Sequence, residues 1–101
     1  MNTSGTELTD ALAQRLTVSD EALIVDLADG RTITVPLVWF PRLSHGSAAE
    51  RENWRLIGGG EGIHWPDLDE DISVASLLAG RRSGETAESL RRWLGARKLA
   101  G

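Results

Sequence analysis

The sequence predicts an α+β fold: a small antiparallel sheet, formed by a three-stranded meander plus one or two short strands, packed with short helices and a C-terminal amphipathic helix. Two patterns predict it. Residues 14–36 alternate apolar and polar side chains with a period of two, broken by turn-forming residues. Residues 85–97 place Ala87, Leu90 and Leu94 at the spacing of one helix face, with Trp93 beside them.

The strands come first. Leu16 and Val18 alternate with polar neighbours before Ser19-Asp20-Glu21 turns the chain, and Leu23, Val25 and Leu27 alternate next. Asp29-Gly30 then gives a hairpin signal, because both residues tolerate positive φ at the centre of a tight turn. Ile33 and Val35 alternate with Thr32 and Thr34, so the meander spans residues 14–18, 22–28 and 31–36 with one face buried. Pro36 ends the third strand, having no amide to give the ladder.

The segment Leu37–Leu43 is too apolar for a plain loop and reads as a helical turn broken near Pro41, which sends Trp39, Phe40 and Leu43 into the core. Ser47 with Glu50 three residues on has the spacing of a capping box, opening a short helix over 47–53. Trp54 and Leu56, then Ile63 and Trp65, flank Gly58-Gly59-Gly60 and predict two more short strands around a glycine turn. Asp71 or Ser73 caps a short helix carrying Val74, Leu77 and Leu78 and stopped by Gly80. Ser83 is the expected cap of the last helix, over 85–97.

A chain of 101 residues, 41% hydrophobic and 26% charged, has room for one core and the composition of a globular protein. We divide it into a flexible N-terminus (1–11), one α+β domain (12–80) and a basic helical extension (81–101). The absence of cysteine removes disulfides, thiolate metal sites and thiol nucleophiles. The first residues, MNTSGTELTD, lack the basic stretch and apolar run of a secretory signal, and the apolar run Val35–Phe40 is too short to span a membrane. A soluble cytoplasmic protein is expected. The net charge of −4 is unevenly placed: from residue 80 onward six basic residues face only Glu85 and Glu88, whereas the rest of the chain sets five arginines against thirteen acids.

Several blocks carry a family resemblance. Asp29-Gly30-Arg31, then Val35-Pro36-Leu37 with Trp39-Phe40-Pro41-Arg42-Leu43, then Ile63-His64-Trp65-Pro66-Asp67-Leu68-Asp69-Glu70-Asp71-Ile72-Ser73 and Leu77-Leu78 resemble, in order and spacing over residues 12–80, a bacterial family called domain of unknown function 2442. The resemblance implies a small α+β domain with an antiparallel sheet, acting as one member of a toxin–antitoxin-like pair of small proteins. Some relatives fuse the domain to a DNA-binding helix-turn-helix, which is not visible here. The resemblance brings no catalytic residue to carry over.

Among candidate sites, Asp67, Asp69, Glu70 and Asp71 offer several oxygens to a hard cation, but lack the glycine and closing glutamate of a calcium loop. Capping the following helix or docking a basic partner fits them better. His45 and His64 are the only histidines, too few for a transition-metal site without cysteine; acid–base work would need one of them beside a positioned partner, and a structural or surface role is expected for each. Gly58-Gly59-Gly60 lacks the Lys-Ser/Thr of a phosphate loop. Trp39, Trp54 and Trp65 fall on apolar faces, while Trp93, between Arg92 and Leu94, either packs on the domain or anchors an interface. Arg81, Arg82, Arg91, Arg92, Arg97 and Lys98 either form a solvated face or grip phosphates.

We therefore expect no cofactor, no metal and no catalytic residue. The expected function is that of a non-enzymatic partner-binding protein, the antitoxin-like member of a two-protein module. Its contact residues are Asp67, Asp69, Glu70 and Asp71 with Arg91, Arg92, Trp93 and Arg97. The alternative is a nucleic-acid-binding regulator acting through the basic helix. A homodimer follows if the apolar stripe of that helix finds no surface on its own domain.

Overall fold

The computed structural model describes residues 11–100, with side chains through residue 98; the segment expected to be a flexible N-terminus lies almost wholly outside the described residues. Strands β1 (Ala13–Val18), β2 (Ala22–Leu27) and β3 (Thr32–Pro36) form an antiparallel sheet in chain order. Leu23, Val25 and Leu27 are buried while their neighbours are half-exposed, so the period-two alternation maps onto the pleat. Gly30 turns the β2–β3 hairpin with φ +94, and the Asp29 carboxylate accepts from the Arg31 amide.

A 3₁₀ turn (Leu37–Trp39) and helix α1 (Pro41–Ser44) follow, with Pro41 starting α1, where a missing amide costs nothing. Leu37, Phe40 and Leu43 are buried, and Trp39 is half-buried against the core. Helix α2 (Ala48–Glu52) opens on the expected capping box: Ser47 accepts from the Glu50 amide, and Glu50 accepts from the Ser47 amide.

A second antiparallel sheet contains β4 (Arg55–Ile57), β5 (Gly62–Trp65) and β6 (Glu70–Ser73). Strand β6 corrects the reading of residues 67–71 as a helix-capping block: Glu70 and Asp71 pair with Trp65 and His64 in the ladder. The cap of helix α3 (Val74–Leu78) is Ser73, which accepts from the Ser76 amide; Asp71 does not serve. Helix α4 runs Ala87–Ala100, two residues later than expected at its start, and Thr86 rather than Ser83 accepts from an amide of its first turn, that of Ser89. Ser83 instead accepts from the Glu85 amide, closing a turn before the helix.

One core joins the two sheets. Leu23, Leu43, Ile63, Trp65 and Leu68 are fully enclosed. The Trp65 indole donates to the Arg51 carbonyl at 3.0 Å, so its polar end is satisfied. Arg51, the one charged residue buried among those described, donates to the carbonyls of Leu43 and Ser44, each at 2.8 Å, and pairs with Asp20 at 2.7 Å. It ties α2 to the end of α1 and to the β1–β2 turn.

Candidate interaction site

Helix α4 is a candidate only if its position is fixed, and a small number of contacts fix it. Ser89, Leu90, Trp93, Leu94 and Arg97 recur every three or four residues and are all partly buried, whereas Arg91, Arg92 and Lys98 are exposed. Trp93 packs against the core, and two guanidiniums lie over its ring: Arg42 at 5.2 Å and Arg97 at 4.6 Å from the centroid. Each such contact contributes about 0.5–2 kcal/mol, more as water is excluded.

The flanking charges close this arrangement. Arg42 donates to both carboxylate oxygens of Glu85 and to the Asp69 carbonyl. Arg97 donates to Glu50 at 2.8 Å and to the Asp67 carbonyl at 3.3 Å. The Arg42 hydrogen bond holds the Glu85 carboxyl below the usual carboxylate range, and Arg97 does the same to Glu50. The basic helix is therefore anchored on its own acidic domain through half of its proposed contact set.

The acidic residues are dispersed in role. Asp67 accepts from the Asn53 amide group. Asp69 takes φ +51, a left-handed conformation that lets its carbonyl meet Arg42. Asp71 pairs with His64 Nδ1 across the β5–β6 ladder. Glu70 is half-buried, and desolvation pushes its carboxyl up to about 7. No group of three or more metal-ligating side chains converges among the described residues. Beside β6 lies an open cleft of about 220 Å³ between Glu70, Ser73 and Ser76 on one wall and Arg81 and Arg82 on the other.

Of the eight predicted contact residues, Asp67, Asp69, Trp93 and Arg97 meet one another or Arg42 within the molecule, Asp71 meets His64, and Glu70 faces the cleft. Arg91 and Arg92 make no ion pair, hydrogen bond or ring contact among the described residues. Of the apolar side of α4, Trp93 packs against the core, Leu90 and Leu94 are half-buried and Ala87 is exposed. Sequence reasoning passed over Arg42, whose place between Pro41 and Leu43 reads as part of an apolar block; no local signal marks it as the anchor of a helix more than forty residues on.

The geometry thus defines a small α+β domain with a docked C-terminal helix and an outward basic face. The chain belongs to the family described as Protein of unknown function (DUF2442), whose model matches residues 13–83. It is similar to a protein of unknown function from Rhodospirillum rubrum, known from a crystal structure, at 30% identity and TM-score 0.63 over 73% of this chain and 92% of the other. An uncharacterized protein from Chromobacterium violaceum, solved in solution, has the same fold at 18% identity and TM-score 0.65 over 98% of this chain and 87% of the other. No curated protein matches the chain.

Proposed function

We propose that the protein is a non-enzymatic partner-binding module of the cytoplasm, antitoxin-like in covering an acidic partner protein through the outer face of α4. The observation that carries this reading is the exposed Arg91–Arg92 pair, free of partners among the described residues, on a helix whose opposite face is pinned by Trp93. A helix already held in place loses little conformational entropy on binding, and guanidiniums suit bidentate contacts to carboxylates. Among the described residues no helix is long and apolar enough to cross a membrane.

A second reading rests on the same arginines, which also fit phosphates, and makes the protein a nucleic-acid-binding regulator. The net charge of −4 works against strong non-specific binding of that kind.

Affinity capture from native lysate at low and high salt tests both, using the full chain and an Arg91→Ala/Arg92→Ala variant. A single acidic protein held by the native chain and lost with the variant supports partner binding. Nucleic acid recovered at low salt and lost with the variant moves the assignment to the regulator. Equal capture by both chains overturns the role of this face.

A further inference from the structure

The two edges of the β1–β2–β3 sheet differ in how they are protected. Edge strand β1 is bulged between Ala13 and Arg15, and the glycine turn of residues 58–60 lies against it; a Cβ at Gly60 would come within 2.6 Å of the Ala13 carbonyl oxygen. Edge strand β3 carries no bulge, although helix α3 packs against it and Pro36 ends it. Its register with β2 is regular from Ala22↔Pro36 to Asp26↔Thr32. Backbone bonds from Leu27 to Arg31 and from Leu37 to Glu21 continue that register at both ends and set its alternation. The backbone groups of Ile33 and Val35 therefore address β2, while the N–H and C=O of Thr32 and Thr34 point away from the sheet.

Those outward groups have no backbone partner among the described residues. Thr32, Ile33, Thr34 and Val35 are all β-branched and uncharged, so within the strand only Pro36, at its end, opposes pairing. The second sheet is better defended. β4 has only three residues, and beside β6 the Asp69 carbonyl is taken by Arg42.

We propose that β3 pairs antiparallel with β3 of a second copy, joining the two sheets across a two-fold axis. The register follows from the same alternation. With Ile33 opposite its own copy on the axis, Thr32 of one protomer faces Thr34 of its partner, and every outward N–H and C=O of both threonines is bonded. Centring the pair on Thr34 instead would set Thr32 against Pro36, which has no N–H to give. Centring it on Thr32 would set Thr34 against Gly30, whose N–H already donates to Leu27. The favoured register also covers the exposed part of Ile33, which is half-buried at the border of the core. A second copy is the fitting occupant because an antiparallel edge is self-complementary under two-fold symmetry. The contact is a single short strand, so the association is weak and concentration-dependent.

Sedimentation of the full chain, from micromolar to near-millimolar concentration, tests this beside two variants. Thr34→Pro removes an outward N–H that the monomer does not use; it should keep the native circular dichroism and lose the dimer. Ile33→Cys places the only thiol of the chain on the axis, where facing residues of a non-hydrogen-bonded pair lie close enough for a disulfide. Mild oxidation should cross-link it, and should leave Thr17→Cys on exposed β1 largely uncross-linked. A native chain that stays monomeric throughout, a dimer that survives Thr34→Pro with its fold intact, or an Ile33→Cys variant that does not cross-link overturns the proposal.

Discussion

Arg42 donates through Nε and Nη2 to the two carboxylate oxygens of Glu85, at 2.6 and 3.1 Å, and so fastens the segment leading into α4 to the end of the first sheet's connection. Two parallel charge-assisted bonds in a half-buried setting are stronger than a surface ion pair. A double-mutant cycle of Arg42→Ala and Glu85→Ala, followed by urea unfolding, should give a coupling of about 1–2 kcal/mol. A coupling indistinguishable from zero would show that the pair contributes nothing beyond its solvation.

Trp93 is where the helix meets the core, so its loss should free α4 without unfolding the sheets. Trp93→Ala is expected to cost about 1–3 kcal/mol, combining lost apolar burial with two lost ring contacts. Hydrogen exchange separates the outcomes: the amides of α4 should exchange much faster while those of β2 stay protected. Uniform loss of protection would mean that the helix and the sheets unfold as one unit.

Much of this fold was legible in the sequence because its signals are local. Alternation in residues 14–36, the Asp29-Gly30 turn and the Ser47/Glu50 box each act within a few residues, and each appears in the structure. Strand β6 was not legible, because its opening residues Glu70 and Asp71 have low strand propensity and are held by pairing with β5. The docking of α4 was not legible for a related reason: Arg42, Glu50 and Asp67 meet it only through tertiary contacts. Of the candidate contact residues, Arg91 and Arg92 keep the exposure that the sequence implied, whereas Trp93 and Arg97 are turned inward onto the domain.

The glycine turn offers a paired comparison. Gly59 has φ +69 with open space where a Cβ would stand, whereas Gly60 has φ +110 and would put a Cβ 2.6 Å from the Ala13 carbonyl oxygen. Gly59→Ala should therefore cost only the backbone strain, about 1 kcal/mol. Gly60→Ala adds a clash with backbone that cannot yield without moving β1, and about 3 kcal/mol or more is expected. Thermal unfolding of the two variants checks the order, and equal losses would place the strain in φ alone.

Glu70 gives the chain a pH dependence of unusual sign. Burial pushes its carboxyl from 4.5 up to about 7, while Arg42 and a hydrogen bond from the Asp71 backbone pull it down and the charges of Glu85 and Asp71 push it up. Between those two values the folded chain keeps a proton that the unfolded chain has released, so stability falls as pH rises toward 7 and then levels off. Glu50 and Glu85, held low by their arginines, act oppositely: their contribution is present above the ordinary carboxylate range and is lost as pH falls below it. Glu70→Gln removes only the first effect. The variant should lack the decline between pH 5 and 7 and should gain about 1–2 kcal/mol on the native chain at pH 8, after allowance for solvent screening. Taking the difference between the two chains at each pH cancels the other titrating groups. A difference that does not change between pH 5 and 8 would mean that Glu70 stays ionised in the folded protein, with Arg42 outweighing its desolvation.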